Sequence, residues 1–426
     1  MTTLLLRLIA LALALAAATA VFIVSATPYF GFWLQAVLAL GMFVATGLTL
    51  LEWVERRRGR DAREAWPWLI AAAVTYVASA QWLVGRAPAR TLDPVPAVPG
   101  VAQWTLPDGG HLAYLRVARH DSATPIAPLI VLHDGPGLPM LPQFADRRSR
   151  PYDTLATLGV DVFYYDQRGA GLSSRQDLVR DRPYSVAMHV ADLEAARVAI
   201  GAPQVMLAGT GWGATLALQY AMAYPRQVRA LLLESPAALW PAQWPELLPA
   251  TARARLTDVQ ASLYAASQQP PLRLVLGRMM ADVSRPAAHQ FIDDWEADQW
   301  WTQALHASWR LGQPRFTCGG LTIDSGSPTV PARAPSMRGA GFFANSYTLA
   351  DATQLPDPRA ALGALTVPFL LVRGACDFVD SRVRDEYLTA LPQARSVIIP
   401  EAGHHAWLAQ PARFSEAVAT FVAGLR

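Results

Sequence analysis

Three long apolar segments dominate the N-terminal part of the chain. Leu4–Val24 is apolar except for Arg7, Phe30–Leu51 carries no charged residue, and Trp66–Val84 contains only a few uncharged polar residues. Each segment approaches the roughly 20 residues that a helix needs to cross a bilayer. The pattern predicts a membrane region at residues 1–85 with two or three transmembrane helices. A buried helix of a soluble protein is the alternative for any one segment taken alone.

Charge indicates how this membrane region is oriented. The stretch between the second and third segments holds five arginines, and such a cluster beside spans is typical of the cytoplasmic side. The third span then leads outward. The first segment, with Arg7, Leu8–Leu15 and Ala18-Thr19-Ala20, is also typical of a signal peptide. Either interpretation leaves the C-terminal domain outside the cytoplasm, on the periplasmic side. The five arginines are Arg56, Arg57, Arg58, Arg60 and Arg63.

A different pattern begins after the proline-rich residues 86–100, which we expect to form a linker. Short apolar runs then alternate with segments of helical period, which is typical of a mostly parallel sheet with helices on both faces. The alternation breaks at residues 236–346, rich in Trp, Pro, Ala and Gln, and resumes at 347–426. We therefore predict an α/β core in two parts, 101–235 and 347–426, with a helical cap inserted between them. The predicted elements are a hairpin of Val101–Leu106 and His111–Arg119, strands at 128–132, 161–165, 205–208, 228–233, 368–372 and 395–399, and helices at 186–200, 214–224, 297–311 and 411–424.

One junction in this core has a specific shape. The apolar run Val205–Ala208 enters Gly-Thr-Gly-Trp-Gly, and the Ala/Leu-rich segment Ala214–Tyr224 follows at helical spacing. A strand, a sharp turn and a helix make the nucleophile elbow of α/β-hydrolases, where G-x-S-x-G holds the reacting serine on a strained turn. Gly209 and Gly213 fill the outer positions, but the central one is Gly211. The sequence predicts an elbow without its nucleophile.

Three further motifs follow predicted strands, and together with the elbow they carry a family resemblance. In order and spacing the set resembles the proline iminopeptidase family of α/β-hydrolases, with its H-G-G-P-G, D-Q-R-G-x-G-x-S, G-G-S-W-G-S-T-L-A-L and G-H motifs. The resemblance covers Val101 to the C-terminus and implies an α/β-hydrolase fold with a serine aminopeptidase type of site. The motifs here are His133-Asp134-Gly135-Pro136-Gly137, Asp166-Gln167-Arg168-Gly169-Ala170-Gly171-Leu172-Ser173 and Gly403-His404.

The resemblance also implies roles for single residues. Asp377 matches the triad acid, His404 the general base and Gly211 the nucleophile position. The oxyanion hole would use the backbone N–H of Trp212 and one from the loop that starts at Gly135. Cap carboxylates in the family hold the free amino terminus of a substrate that begins with proline, and the nearest match is Glu296. A carboxylate on a solvated helix face is the alternative interpretation of Glu296.

Two departures from the family pattern bear on activity. Gly211 has no side chain that could form an acyl intermediate. Asp134 replaces a glycine beside the expected oxyanion hole, where a carboxylate would repel developing negative charge. Thr210 and Ser235 are weak substitutes for the nucleophile. Three classes of function stay open: a hydrolase-derived binding protein, a His–Asp dyad enzyme without a covalent intermediate, and an active-site variant of a serine peptidase or esterase.

Composition and charge limit the classes of partner and cofactor that we expect. The net charge is only +3 and five of the arginines belong to the membrane loop, so we expect no nucleic-acid partner. The family resemblance implies a small molecule or short peptide as the substrate. We expect no cofactor and no metal, because Cys318 and Cys376 lack the spacing of metal ligands. Their pairing as a disulfide is left open by the sequence. An ion pair between Asp166 and Arg168 is expected to fix the loop that they share.

Overall fold

The computed structural model describes residues 3–26, 32–83, 95, 97–120, 124–145, 150–178, 180–240, 269–316, 339–391 and 393–426. The helices are α1 Thr3–Val24, α2 Phe32–Arg57, α3 Trp66–Leu83, α4 Val186–Ile200, α5 Trp212–Ala223, α6 Leu272–Ala281, α7 Arg285–Phe291, α8 Asp294–Phe316, α9 Phe342–Ala352, α10 Arg359–Gly363, α11 Ser381–Ala390, α12 Ala406–Ala409 and α13 Pro411–Ala423. The strands are β1 Val101–Thr105, β2 His111–Val117, β3 Leu129–Leu132, β4 Val162–Tyr165, β5 Val205–Gly211, β6 Val228–Pro236, β7 Phe369–Gly374 and β8 Arg395–Ile399.

The chain divides into two compact units. The first contains the three N-terminal helices, and the second contains the strands. The first unit comprises Met1–Thr91, Asp177–Arg182 and Pro270–Ala297, and the second comprises Leu92–Gln176, Pro183–Gln269 and Asp298–Arg426.

The first unit contains two candidate membrane spans among the described helices. α1 and α2 are long and apolar enough to cross a membrane, a test that a signal sequence or a buried helix also passes. They pack against each other, with Ala14 of α1 beside Gly47 of α2. Arg7 Nε donates to Glu55 Oε1 at 2.6 Å and joins the same two helices. The first apolar segment is therefore a helix packed on the second one.

In the second unit the described strands form one sheet in the order β1-β2-β4-β3-β5-β6-β7-β8. β2 pairs antiparallel with both β1 and β4, and all pairings from β4 to β8 are parallel. Parallel strands place their carboxyl ends at one edge of the sheet. The loops that follow β3, β4, β5, β7 and β8, which carry the sequence motifs, therefore share that edge.

The core lies on both faces of this sheet because successive strand residues point to opposite sides. In β3, Ile130 packs in the cluster that includes residues of α4 and α5. Its neighbour Val131 packs in the opposite cluster, which includes Phe414 of α13. The mostly parallel sheet with helices on both faces is the predicted α/β-hydrolase fold.

Most predicted elements lie within two residues of the observed ones, and the 297–311 helix lies inside α8. Much of the predicted cap, 241–268 and 317–338, lies outside the described residues, so its boundaries stay a prediction.

Candidate active site

The predicted elbow joins β5 directly to α5. Gly211 has φ +53° and ψ −114°, a backbone conformation that residues with a side chain adopt only under strain. A Cβ on Gly209 would lie 2.4 Å from the backbone of Gly213, and one on Gly213 would lie 2.2 Å from Leu132 O. Glycine at both outer positions is therefore required by the close approach of β5, α5 and β3.

Asp377 and His404 follow β7 and β8 and meet at the same edge. His404 Nδ1 lies 2.8 Å from Asp377 Oδ1, and both side chains are buried. The backbone N–H of Val379 also donates to Asp377 Oδ1, at 3.1 Å. Phe378 stacks on the imidazole with the ring centroids 4.3 Å apart. The structure thus brings together the acid and the histidine that the sequence singled out; their roles stay predictions.

Asp134 occupies the centre of this site. Its Oδ1 accepts hydrogen bonds from the backbone N–H groups of Gly135 at 2.8 Å and Trp212 at 2.9 Å. These are the two donors expected to form the oxyanion hole. A Cβ built on Gly211 would lie 2.2 Å from the same Oδ1. The carboxylate therefore lies at the donors themselves, and it fills the space that a nucleophilic side chain on the elbow would use.

The imidazole of His404 lies between two carboxylates. Its Nε2 is 3.9 Å from Asp134 Oδ2, on the side opposite Asp377. Burial lowers the pKa of His404, but Asp377 and Asp134 outweigh burial and raise this pKa to about 10. The imidazolium in turn holds the pKa of both carboxyls below its usual range, against the effect of their burial. At neutral pH the site holds an imidazolium, which can donate a proton but accepts one only after losing its own.

A hydrogen-bond network fixes the loops around Asp134. Gln167 N–H donates to His133 Nε2 at 2.8 Å, and Gln167 Oε1 accepts from the indole N–H of Trp212 at 2.9 Å. Because His133 Nε2 accepts, its proton lies on Nδ1, which donates to Asp134 O at 2.7 Å. Burial lowers the pKa of His133 to about 4, which keeps this ring neutral. Gln167, which the sequence analysis did not single out, therefore joins three of the motif loops.

Glu234, at the carboxyl end of β6, is a second residue that sequence reasoning missed. Its Oε2 accepts from the Thr210 hydroxyl at 3.0 Å and its Oε1 from Trp407 N–H at 3.2 Å. Burial raises the pKa of Glu234 to about 7, although these donors lower it. The only signal in the sequence was its position at the end of a central strand.

Neither weak substitute for the nucleophile lies in a position to act. The Thr210 hydroxyl is used by Glu234. Ser235 has φ +41° and is buried, and its hydroxyl contributes to lowering the pKa of Asp377 after burial, His404 and the Val379 N–H. Ser235 therefore belongs to the surroundings of the acid and not to the elbow. Cys376, one residue before the acid, is disulfide-bonded; Cys318 lies outside the described residues.

The expected ion pair between Asp166 and Arg168 is wrong. Arg168 instead makes a two-pronged pair with Asp192 of α4, with both N–O distances 2.8 Å, and a further pair with Asp108. A guanidinium pairs most strongly with a carboxylate through two parallel hydrogen bonds, and Arg168 makes such a pair with Asp192. Three backbone N–H groups bind the Asp166 carboxylate instead. They are those of Met140, Leu141 and Leu172.

Glu296 belongs to the first unit, where Arg273 Nε donates to its Oε1 at 2.7 Å. Both side chains are largely buried, so the carboxylate is not on a solvated helix face. This ion pair gives Glu296 a structural role in α8 and α6. A role in holding a substrate stays a prediction.

Comparisons with known proteins identify the fold family of this chain. A family profile described as the alpha/beta hydrolase fold matches residues 128–409, more than half of the chain. The proline iminopeptidase of Lactiplantibacillus plantarum is 26% identical over 306 residues, 71% of this chain and 94% of that protein. The proline iminopeptidase of Lactobacillus delbrueckii subsp. lactis is 36% identical over 144 residues, 32% of this chain and 45% of that protein. A solved proline iminopeptidase from Mycobacterium smegmatis has a TM-score of 0.42 at 19% identity and covers 76% of this chain and 98% of its own. The chain therefore belongs to the α/β-hydrolase fold family and is proline iminopeptidase-like.

Proposed function

We propose that this protein is a hydrolase that acts on a small substrate through His404 and Asp377 and forms no acyl-enzyme on the elbow. The observation that carries the proposal is the 2.8 Å hydrogen bond between these two side chains in a site whose nucleophile position is Gly211. In such chemistry the imidazole moves protons to and from the substrate or water and does not activate a serine. Asp377 orients the ring and stabilises its charged form.

The position of Asp134 supports a different reaction mechanism, and not a serine-hydrolase site that has lost only its nucleophile. A serine side chain at residue 211 would overlap the Asp134 carboxylate, at 2.2 Å from its Oδ1. The two backbone donors that would stabilise an oxyanion of a peptide or ester substrate already bind that oxygen. Short peptides are the substrates that the similarity to proline iminopeptidases favours. They would require Asp134 to leave this position.

A protein that binds a small ligand without turnover is the second candidate. The observation that favours it is the paired state of the site, in which the imidazolium of His404 faces a carboxylate on each side. In this state the imidazole of His404 can act as a base only after it has lost its own proton.

The test is hydrolysis by the purified full-length protein over a panel of esters, aminoacyl anilides and epoxides. His404→Gln should lower the rate on the accepted class by on the order of 10²–10⁴. The exposed His120 is the matched control, and His120→Gln should leave that rate unchanged. A fluorophosphonate should neither label the wild-type protein nor slow it. Full activity in His404→Gln would overturn the proposal, and ligand binding without turnover of any class would favour the second candidate.

The same proposal places the hydrolase domain outside the cytoplasm, anchored by α1 and α2 with α3 as a third span. α1 and α2 are long and apolar enough to cross a membrane. The end of α2 and the segment after it carry the five-arginine cluster that is typical of the cytoplasmic side. The disulfide at Cys376 supports an oxidising compartment for the domain.

A further inference from the structure

The two oxygens of Asp134 have different surroundings. Oδ1 is fixed by the backbone N–H groups of Gly135 and Trp212, at 2.8 and 2.9 Å. Oδ2 faces His404 Nε2 at 3.9 Å, and 30% of the Asp134 side chain is exposed to solvent. One oxygen is held in place and the other is directed at the proton-transfer group. This is the arrangement that a carboxylate needs in order to attack a substrate and then be regenerated.

The fixed oxygen restricts the kind of electrophile. Attack on an ester or amide carbonyl develops negative charge on the substrate oxygen, and the donors that would stabilise this charge are occupied by Asp134 Oδ1. Attack on a saturated carbon develops no negative charge on a carbonyl oxygen. It converts Asp134 into an ester whose carbonyl oxygen, Oδ1, already lies at the two donors. The two backbone donors then stabilise the negative charge of the second step, in which water attacks that ester.

The proton on His404 restricts the leaving group. An imidazolium 3.9 Å from the attacking oxygen can protonate an alkoxide that forms next to it. A three-membered cyclic ether joins the two requirements, because its saturated carbon is strained and its leaving oxygen needs a proton. We propose that Asp134 is the nucleophile of this site and that the substrate is a small epoxide, hydrolysed to a diol. The inference rests on the proposed function, since His404 and Asp377 carry the proton transfers.

In the first step Asp134 Oδ2 forms a bond to one epoxide carbon and the bond from that carbon to the ring oxygen breaks. The ring oxygen keeps the electron pair and takes the proton from His404 Nε2. The products are a hydroxyalkyl ester of Asp134 and a neutral imidazole.

In the second step His404 takes a proton from water, and the hydroxide attacks Cγ of the Asp134 ester. The negative charge moves to Oδ1, at the N–H groups of Gly135 and Trp212. Collapse breaks the bond from Cγ to the ester oxygen and releases the diol alkoxide, which takes the proton of the new carboxylic acid. The net reaction is epoxide plus water to diol, and it restores the carboxylate and the imidazolium present at rest.

The test is isotope transfer to the protein. The full-length protein is incubated with styrene oxide or cyclohexene oxide in water labelled with heavy oxygen, digested, and the peptides are analysed by mass spectrometry. Over many turnovers heavy oxygen should enter the Asp134 carboxylate. Asp377 in the same digest is the internal control and should stay unlabelled, because its carboxylate forms no ester. Asp134→Asn, which keeps the size of the side chain, should lower diol formation by on the order of 10³ or more in a protein that thermal unfolding shows to be folded at the assay temperature.

The possible outcomes separate the two proposals. Diol formation that depends on His404 but leaves Asp134 unlabelled would overturn the nucleophile and leave the His–Asp hydrolase standing, with water attacking directly. If neither epoxide yields a diol, the proposed substrate class is overturned. Release of chloride from hexyl chloride with labelling of Asp134 would then retain only the role of Asp134 as the nucleophile. Full activity in Asp134→Asn would overturn the nucleophile by itself.

Discussion

At the scale of single residues, Gly211 and Asp134 are best understood as a pair. Each is a departure from the motif that it belongs to, and each looks damaging when considered alone. The Asp134 carboxylate occupies the space that a side chain on residue 211 would fill. A Cβ on Gly211 would lie 2.2 Å from Asp134 Oδ1. The repulsion that the sequence suggested at the oxyanion hole is replaced by two hydrogen bonds from its donors. The two departures therefore fit each other sterically and electrostatically.

This pairing makes a prediction about restoring a serine. Gly211→Ser alone should destabilise the fold by about 1–3 kcal/mol, because a serine at this position must keep the positive φ. The serine side chain would also overlap the Asp134 carboxylate. It should not react with a fluorophosphonate, since the oxyanion donors are occupied. Gly211→Ser combined with Asp134→Gly should react, because the donors and the space at the elbow are then open. Gel labelling with a fluorescent fluorophosphonate and thermal unfolding measure the two effects.

Asp134→Gly alone is the control for this pair of variants and should stay unlabelled, since it supplies no hydroxyl. Equal labelling of the single Gly211→Ser variant and the double variant would show that Asp134 does not block the elbow.

At the scale of elements, the site is assembled where parallel strands end, and Glu234 links two of these strands to a helix. From the end of β6 its carboxyl binds Thr210 in β5 and the N–H of Trp407 in α12, just after His404. The elbow and the histidine loop are thus tied through one buried carboxyl. Its protonation state should affect the stability of this edge of the sheet.

The pKa of Glu234, raised to about 7 from an ordinary value of 4.5, fixes the sign of that effect. Between these values the folded protein holds a proton that the unfolded chain releases. The stabilisation is full below about pH 4.5 and is lost as pH rises through 7, by about 3 kcal/mol in total at most. Glu234→Gln, which keeps a hydrogen-bonding amide, should remove this dependence. Comparing the two proteins by thermal unfolding from pH 4 to 8 cancels all other groups, and parallel curves would contradict the prediction.

The elements also show what the sequence could reveal. Apolar runs and the glycines Gly209 and Gly213 report local requirements, so strands, helices and elbow were predictable nearly to the residue. Ion pairs were not, because Arg168 finds its partner Asp192 on a helix 24 residues away. The position of the Asp134 carboxylate depends on how closely two loops approach, which no local pattern encodes. Two coincident departures in motifs that meet at one edge were the only signal of it.

At the scale of the whole molecule, the side of the membrane that we propose for the hydrolase domain depends on α3. α1 and α2 alone would return the chain to the side on which it began, whereas a third span takes the hydrolase domain across. α3 has 18 residues, about 27 Å at the rise of an α-helix, which is close to the thickness of the hydrocarbon core. The five arginines at the end of α2 and in the segment before α3 favour the cytoplasmic side for that connection. The disulfide at Cys376 favours the opposite side for the domain.

Reporter fusions in a bacterial host test this orientation. Alkaline phosphatase fused after residue 90 should be active, because the enzyme needs the oxidising periplasm, and a cytoplasmic fluorescent protein at the same point should stay dark. Fusions after Gly59, inside the arginine loop, are the matched control and should give the reverse pattern, since only α3 separates the two points. If the fluorescent protein shines and the phosphatase is inactive at both positions, α3 does not span and the domain is cytoplasmic. Replacing three arginines of the loop by glutamine should then weaken the contrast between the two sites if positive charge is what holds the loop inside.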